Sequence, residues 1–270
     1  MPVSADPSVD ADGSDDGEGD GDLPINELFE SLQGEGKLAG VPSVFVRTSG
    51  CNLRCWFCDS YHTSWEPTGA WMDIDEVIEA VRSYDADHVV VTGGEPLLHD
   101  AVVDLLDRLS AAGYHTTVET NGTIHRDAAV DLASISPKLA SSTPGDPEGD
   151  GGTPPERPDG RAVDADWAER HEAERLDVET TARLVEDYDA QVKFVVTGPE
   201  DLPEIREVIE RVRAAAGVPV PDDDVLLMPE GTTREALAER REAVADLAIE
   251  SGFRYTPRLH VDLWNDAPET

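Results

Sequence analysis

The stretch SVFVRTSGCNLRCWFCDS, residues 43–60, runs from a strand-like segment directly into a loop that holds every cysteine of the chain. Valine and phenylalanine dominate its first half, which predicts a buried β-strand. Cys51, Cys55 and Cys58 follow with the spacing C-x3-C-x2-C. In α/β folds, ligands bind at the carboxyl ends of the strands, where such loops begin. The stretch therefore predicts an α/β protein with a site of three thiolates at the end of its first strand.

Strand-like and helix-like segments alternate over most of the remaining chain. The predicted strands are residues 43–49, 88–94, 115–122, a short segment ending at Ser136, 191–198, 224–231 and 254–260. Amphipathic helices are predicted at 73–84, with Asp73 or Asp75 as N-cap, at 99–113, and after the strands at 191–198 and 224–231. This alternation predicts a parallel sheet covered by helices. With about six strands, an incomplete TIM-type barrel is favoured over a closed one of eight strands.

Two segments lack the apolar residues that a fold requires. Residues 1–22 contain no basic and almost no large apolar residue, so they are predicted to be a disordered acidic tail. Residues 142–164, rich in glycine, proline and aspartate, read as a low-complexity surface insertion. The sequence therefore predicts one domain, residues 23–270, that carries this insertion.

The net charge is extreme, with 58 acidic and 21 basic residues and a balance of −37. The lysines are Lys37, Lys138 and Lys193, and the acidic residues are spread along the whole sequence. Molar salt shortens the Debye length to about 3 Å and screens such repulsion, so we interpret the charge as a halophilic adaptation. Direct binding of nucleic acid is disfavoured, because phosphate contacts need clustered lysine and arginine.

The sequence also predicts where the protein resides. It has no run of about 18 apolar residues, so no membrane span is predicted. Its N-terminus is acidic, unlike a secretory signal. Three cysteines in one loop do not make a disulfide framework. We therefore expect a reducing, cytoplasmic compartment.

Three thiolates in one loop fit two kinds of metal centre. His62 lies four residues after Cys58 and would complete a Cys3His zinc site at acceptable spacing. A structural zinc usually joins distant segments, however, and here all four ligands would come from one loop. A [4Fe–4S] cluster normally takes four cysteines, so three leave one iron open for a small molecule. The spacing favours the cluster, and both centres stay open at this point.

The cysteine loop resembles the signature of the radical S-adenosylmethionine (SAM) superfamily, with Phe57 before the last cysteine. In that superfamily SAM chelates the open iron, and one electron from the cluster cleaves it to a 5′-deoxyadenosyl radical. The segment VTGGEP, residues 91–96, resembles the superfamily's motif for the methionyl amino group. The resemblance implies that Gly94 and Glu95 contact SAM.

A longer stretch resembles one family within the superfamily, the 7-carboxy-7-deazaguanine synthases. The segments SLQGEG (31–36), CDS (58–60), HVVVTGGEP (88–96), ETNG (119–122) and SPK (136–138) match in order. The likeness is strong over residues 25–140 and looser over 190–265. It implies ring contraction of 6-carboxy-5,6,7,8-tetrahydropterin to 7-carboxy-7-deazaguanine with loss of ammonia, a step towards the tRNA nucleosides archaeosine and queuosine.

The resemblance also implies the roles of individual residues. Cys51, Cys55 and Cys58 would bind the [4Fe–4S] cluster, and Ser60, where the family mostly has threonine, would bind Mg²⁺. The residues implied for substrate binding are Leu32, Gln33, Gly34, Arg47, Thr92 and His260. Those implied for SAM or the cluster are Phe57, Cys58, Asp59, Gly94, Glu95, Ser136, Pro137 and Lys138. Glu119, Thr120 and Asn121 are expected near the ribose or methionyl groups.

The same resemblance implies partners, and two other functions remain to be distinguished. A flavodoxin or ferredoxin would supply the electron, and the family tends to form homodimers. One alternative is a radical SAM activase that installs a glycyl radical on a partner protein. The other is a zinc-binding module without catalysis.

Overall fold

The computed structural model describes residues 21–145, 165–265 and Ala267. Residues 1–20 of the predicted tail and 146–164 of the predicted insertion lie outside the described residues. At the inner ends of both segments the fold extends further than predicted. Asp22 already pairs with Asp73 in the sheet, and Ser142 is fully buried.

One open sheet of nine strands forms the centre of the described fold, in the order β3-β1-β2-β4-β5-β6-β7-β8-β9. The strands are β1 (Asp22–Leu32), β2 (Pro42–Thr48), β3 (Ala70–Asp73), β4 (His88–Gly93), β5 (His115–Thr120), β6 (Leu132–Ile135), β7 (Ala190–Val196), β8 (Val225–Pro229) and β9 (Arg254–Tyr255). Strands β2 and β4 to β9 run parallel, whereas β1 is antiparallel to β2 and to β3. The sheet does not close into a barrel, and β9, the last of its parallel strands, has only two residues. The prediction of an incomplete barrel of about six parallel strands is therefore confirmed.

Helices cover the sheet and bury its apolar face. They are α1 (Tyr61–Ser64), α2 (Ile74–Arg82), α3 (Val102–Ala111), α4 (Ala165–Glu174), α5 (Val178–Asp187), α6 (Leu202–Ala215), α7 (Arg234–Ser251) and α8 (Leu259–Trp264). Asp73 caps α2 as predicted, because its carboxylate accepts a hydrogen bond from the Glu76 amide at 2.9 Å. One apolar core lies beneath α2 and α3 and a second beneath α5, α6 and α7. In the part of the chain that is described, none of the helices has the length and apolar character needed to cross a membrane.

The structure differs from the prediction at several places. The cysteine loop follows the second strand of the chain, because β1 precedes it and pairs with β2 from Ile25 to Leu32. The short strand predicted to end at Ser136 is β6, which ends one residue earlier, at Ile135. The segment predicted as a strand at 254–260 contains two strand residues and then enters α8.

Candidate active site

A cavity of about 540 Å³ opens at the carboxyl ends of the parallel strands. This is the edge at which α/β folds bind ligands. Most of the residues singled out from the sequence line it together. They are Leu32, Gln33, Gly34, Arg47, Cys51, Cys55, Phe57, Cys58, Asp59, Ser60, Thr92, Gly94, Ser136, Lys138 and His260. Glu119, Thr120 and Asn121 line the same cavity.

The three cysteines reach this cavity from one loop between β2 and α1. Cys51 and Cys55 are buried and Cys58 is partly buried, and all three are free thiols. Burial raises the pKa of each thiol, that of Cys51 to about 12. Buried thiolates therefore need a positive partner, which the iron of a cluster supplies. Donors to sulfur are in place, since Ser64 Oγ lies 3.1 Å from Cys58 Sγ and the Leu53 amide 3.4 Å from Cys51 Sγ. Three cysteines in one loop, two of them with a hydrogen-bond donor at sulfur, fit an iron–sulfur cluster.

The arrangement does not favour the zinc alternative. Among the described residues, no three His, Cys, Asp or Glu side chains are grouped so that they could hold a single metal ion. His62, the proposed fourth ligand, is exposed on α1 and is not grouped with the cysteines as a zinc ligand would be. A cluster distributes its cysteine ligands over separate iron atoms and does not require them to converge on one point.

Two of the residues expected near SAM, Glu95 and Pro137, are not among the residues that line the cavity. The Glu95 carboxylate is fully buried and accepts hydrogen bonds from the amides of Leu97, at 3.0 Å, and Asn121, at 2.7 Å. Burial raises its pKa to about 7 despite these donors. Through these two hydrogen bonds, Glu95 connects the end of β5 to the turn after β4. Pro137 is buried between Ser136 and Lys138, which do face the cavity.

The missing side chain of Gly94 permits a close contact between β4 and the cysteine loop. A Cβ on Gly94 would lie 1.9 Å from the carbonyl oxygen of Gly50. That carbonyl accepts a hydrogen bond from the Glu95 amide at 2.9 Å, and the Gly94 amide donates to Thr48 at 3.1 Å. A larger residue would push the two segments apart. The VTGGEP segment thus positions the cysteine loop and also lines the cavity.

Arg47 projects from the end of β2 and makes two polar contacts. Its Nη1 donates to Ser60 Oγ at 2.6 Å, and its Nε lies 2.9 Å from a carboxylate oxygen of Glu27. The Ser60 hydroxyl lies 3.2 Å from Asp59 Oδ1. The residues implied for the substrate carboxylate and for Mg²⁺ are therefore in direct contact.

Glu119 connects two of the residues expected to bind substrate. Its carboxylate accepts hydrogen bonds from Gln33 Nε2 at 3.2 Å and from Thr92 Oγ1 at 2.8 Å. Gln33 and Thr92 are both buried at the cavity wall. The three side chains form a polar edge that can donate and accept hydrogen bonds.

A buried charge network, which the sequence analysis missed, also lines the cavity. Glu35 pairs with Lys193 and, at 3.0 Å, with Arg258, which also pairs with Asp59. Burial opposes ionisation of Glu35, but Lys193 and Arg258 outweigh it, and the net result is a lowered pKa. The pKa of Arg258 is raised by its two carboxylate partners against the effect of burial. One signal was available in the sequence, because Lys193 is one of three lysines in an acidic chain.

Known protein families and curated proteins resemble this chain over the segments that line the cavity. The profile of the Radical SAM superfamily matches residues 45–138, from β2 to the end of the SPK segment. The 7-carboxy-7-deazaguanine synthase of Halobacterium salinarum is 64% identical over 274 residues, covering 100% of both chains. The 7-carboxy-7-deazaguanine synthase of Rhodopirellula baltica is 42% identical over 240 residues, covering 88% of this chain and 85% of that protein.

A solved structure shows the same fold. The crystal structure of QueE from Escherichia coli aligns with a TM-score of 0.56 and covers 88% of this chain and 95% of that chain. The two sequences are 24% identical. This likeness supports the open parallel sheet described above.

Proposed function

This chain belongs to the 7-carboxy-7-deazaguanine synthase family of radical SAM enzymes, and we propose that its cavity contracts the ring of 6-carboxy-5,6,7,8-tetrahydropterin. The product would be 7-carboxy-7-deazaguanine, with loss of ammonia. The observation that carries the proposal is full-length identity of 64% to a synthase of that name. The cavity supports it, because residues from distant parts of the chain meet there in the expected combination.

The cofactors follow from the superfamily. A radical SAM enzyme uses a [4Fe–4S] cluster and SAM, which together supply the adenosyl radical when bound. Cys51, Cys55 and Cys58 would hold the cluster. Among the residues expected at SAM, Gly94 and Lys138 line the same cavity as the three cysteines.

The substrate would lie against the polar side chains that line the cavity. The edge formed by Gln33, Thr92 and Glu119 offers the mixture of donors and acceptors that a pterin ring requires. Arg47 can bind the substrate carboxylate through two parallel hydrogen bonds. His260 lies against Gly34 and closes the cavity at the start of α8.

Mg²⁺ would bind at Ser60, whose hydroxyl supplies one hard oxygen ligand. In the described structure that oxygen accepts a hydrogen bond from Arg47. A substrate carboxylate that engages Arg47 would release the Ser60 hydroxyl for the metal. Binding of substrate and of Mg²⁺ would then be coupled, and each would favour the other.

The partners belong to the same proposal. The family's chemistry requires a one-electron donor, for which a flavodoxin or ferredoxin is suited, and we propose a homodimer. Three free cysteines at one site suit a reducing, cytoplasmic compartment. The product would serve archaeosine or queuosine synthesis.

Anaerobic turnover tests the proposal directly. Reconstituted enzyme is incubated with SAM, a reductant and the carboxytetrahydropterin, and the deazaguanine product is followed by its absorbance with and without Mg²⁺. We expect product formation that Mg²⁺ stimulates, and about four irons per chain. Cys55→Ala is the control and should lack both cluster and product. A holoenzyme with a complete cluster that does not convert the pterin would contradict the proposal and favour the activase alternative.

Arg47→Ala tests the proposal that Arg47 binds the carboxylate of the substrate. Loss of a charged hydrogen-bonding partner costs about 1.5–3 kcal/mol, so KM for the pterin should rise by roughly ten- to a hundredfold. Uncoupled cleavage of SAM in the absence of substrate should change much less, since Arg47 would not contact SAM. Equal loss of both activities would show that Arg47 does not act on the substrate.

A further inference from the structure

Helix α4 packs against the outer side of the cysteine loop, although it lies more than 100 residues further along the chain. His171 of α4 is fully buried. Its Nδ1 accepts a hydrogen bond, at 3.1 Å, from the backbone amide of Arg54, the residue before Cys55 in the C-x3-C segment. Its Nε2 lies 2.9 Å from Ser142 Oγ, which donates in turn to the Leu139 carbonyl at 2.6 Å. These partners require a neutral ring with its proton on Nε2.

The side chain of Arg54 is the second link between α4 and the loop. Arg54 is 1% exposed. Its Nη1 donates to the carbonyls of Cys51, at 2.6 Å, and Leu53, at 2.8 Å. Its guanidinium carbon lies 4.2 Å from the ring centroid of Trp167, which is on α4. An aromatic face stabilises such a cation, the more so where water is excluded.

The buried guanidinium lies against the backbone of the cysteine loop, because its Nη1 donates to the carbonyls of Cys51 and Leu53. The three cysteines that would hold the cluster belong to the same loop, and Cys55 directly follows Arg54 in the chain. A positive charge held in a site of low dielectric acts more strongly on neighbouring charges than one in water. An electron added to a cluster at these cysteines would therefore be stabilised by Arg54.

The turn before the undescribed segment supports the same loop. Trp56 donates its backbone amide to the Ser142 carbonyl at 3.3 Å and its indole Nε1 to the Ser141 carbonyl at 2.7 Å. The loop is thus held from the 140–142 turn and from α4. These two segments flank residues 146–164 in the chain, and both contact the cysteine loop.

We propose that α4 is a positioning element for the cluster: His171 fixes the Arg54 amide, and Trp167 holds the Arg54 guanidinium as a permanent positive charge that makes one-electron reduction of the cluster more favourable. The electron comes from the flavodoxin- or ferredoxin-type donor and enters the cluster, while Arg54 keeps its proton throughout. Reduction potentials of iron–sulfur clusters depend on local charge, hydrogen bonding and exposure, which are the quantities that α4 controls here. The proposal concerns the cluster alone and does not depend on which substrate the cavity takes.

The effect of the Arg54 charge on the reduction potential of the cluster is tested by a potentiometric titration of the anaerobic holoenzyme, monitored by electron paramagnetic resonance. Arg54→Met should make reduction about tenfold less favourable, a shift of about 59 mV to more negative potential for a one-electron couple. Arg54→Lys keeps the charge and should restore most of the potential. Arg170→Met is the matched control, because that guanidinium lies 4.9 Å from the same ring centroid but its side chain is 42% exposed. It should shift the potential little.

Two results would overturn the role of the charge. One is an Arg54→Met holoenzyme with full iron content and an unchanged potential. The other is a shift in Arg170→Met as large as that in Arg54→Met. If Arg54→Met fails to retain a cluster, Trp167→Leu decides, because it removes the aromatic cover and leaves the guanidinium to water. An unchanged potential in that variant would also contradict the proposal.

The positioning role of His171 is tested by the stability of the cluster. His171→Leu removes the acceptor for the Arg54 amide, and iron release to a chelator should become about tenfold faster, as expected for a lost buried hydrogen bond. His171→Gln offers an oxygen acceptor and an amide donor and should largely restore the wild-type rate. Circular dichroism distinguishes this effect from global unfolding. Equal iron release from wild type and His171→Leu would show that α4 does not hold the loop.

Discussion

At the scale of single residues, Gly34 sets the position of His260 at the cavity wall. A Cβ on Gly34 would lie 1.9 Å from Nδ1 of the His260 ring, and the Gly34 carbonyl accepts a hydrogen bond from the Leu259 amide at 2.8 Å. Gly34→Ala must therefore displace the ring. We expect kcat/KM for the pterin to fall by about ten- to a hundredfold, since a misplacement of about 1 Å has effects of this size. Steady-state kinetics of wild type and variant with equal iron content per chain measures this change in kcat/KM.

A double-mutant cycle shows whether this effect passes through His260. If Gly34→Ala acts by moving the ring, it should add nothing to the loss caused by His260→Ala. Additive losses would mean that the alanine methyl group obstructs the substrate directly. Iron content should stay at the wild-type level in all three variants, because neither residue contacts the cysteine loop in the described hydrogen-bond network.

At the scale of elements, the charge network joins four segments of the chain. Glu35 lies after β1, Lys193 on β7, Asp59 in the cysteine loop and Arg258 before α8. Removing one member of a buried pair leaves its partner uncompensated, which costs about 3–5 kcal/mol. We expect Glu35→Gln to lower the free energy of unfolding at neutral pH by about 3 kcal/mol, near the lower limit, because Asp59 still balances Arg258.

The same network predicts a dependence on pH. The pKa of Glu35 in the folded protein lies below its ordinary value of 4.5. The unfolded chain therefore binds more protons in this range, and the contribution of Glu35 is complete above that value and lost as the pH falls below it. Urea unfolding of wild type and Glu35→Gln should show a difference that is constant near neutrality and shrinks in acid. Asp222→Asn, which breaks an exposed pair with Arg213, should cost little at any pH. A Glu35→Gln difference that did not shrink would contradict the lowered pKa.

The elements differ in how far the sequence could predict them. Strands β4, β7 and β8 are short, mostly apolar and rich in valine, leucine or phenylalanine, and each precedes a helical pattern, so the sequence identifies them. Strand β1 was missed because its pairing is antiparallel and stands outside the strand–helix repeat. Helix α4 was missed because it is polar on most positions, with the sequence ADWAERHEAE.

The residues of the candidate site also differ in how far the sequence could predict them. Residues at the carboxyl ends of strands, such as Arg47 and Thr92, could be placed from the sequence, because these ends of parallel strands meet at one edge. The pairs Glu35–Arg258 and Arg54–His171 could not, since 223 and 117 residues separate their members. Contacts of such long range depend on how the sheet brings segments together, which local patterns do not encode.

At the scale of the whole molecule, the charge balance of −37 opposes the compact state. The ion pairs of the described surface are mostly exposed, as between Arg206 and Glu250 or Arg108 and Asp75, and each contributes little. They cannot offset repulsion among the excess carboxylates. The buried pairs around Glu35 are shielded from salt, so added salt weakens the repulsion more than it weakens the fold's own ionic contacts.

The protein should therefore gain stability with salt over a range in which most proteins change little. The Debye length falls from about 10 Å at 0.1 M to about 3 Å at 1 M, and repulsion between exposed carboxylates is then largely screened. We expect the thermal midpoint, followed by circular dichroism, to rise steeply with KCl over this interval. Sucrose is the control, since it favours compact states by exclusion from the surface without screening charge. If sucrose at low salt stabilised the protein as well as KCl does, or if the midpoint did not change with KCl, the acidic surface would not be an adaptation to salt.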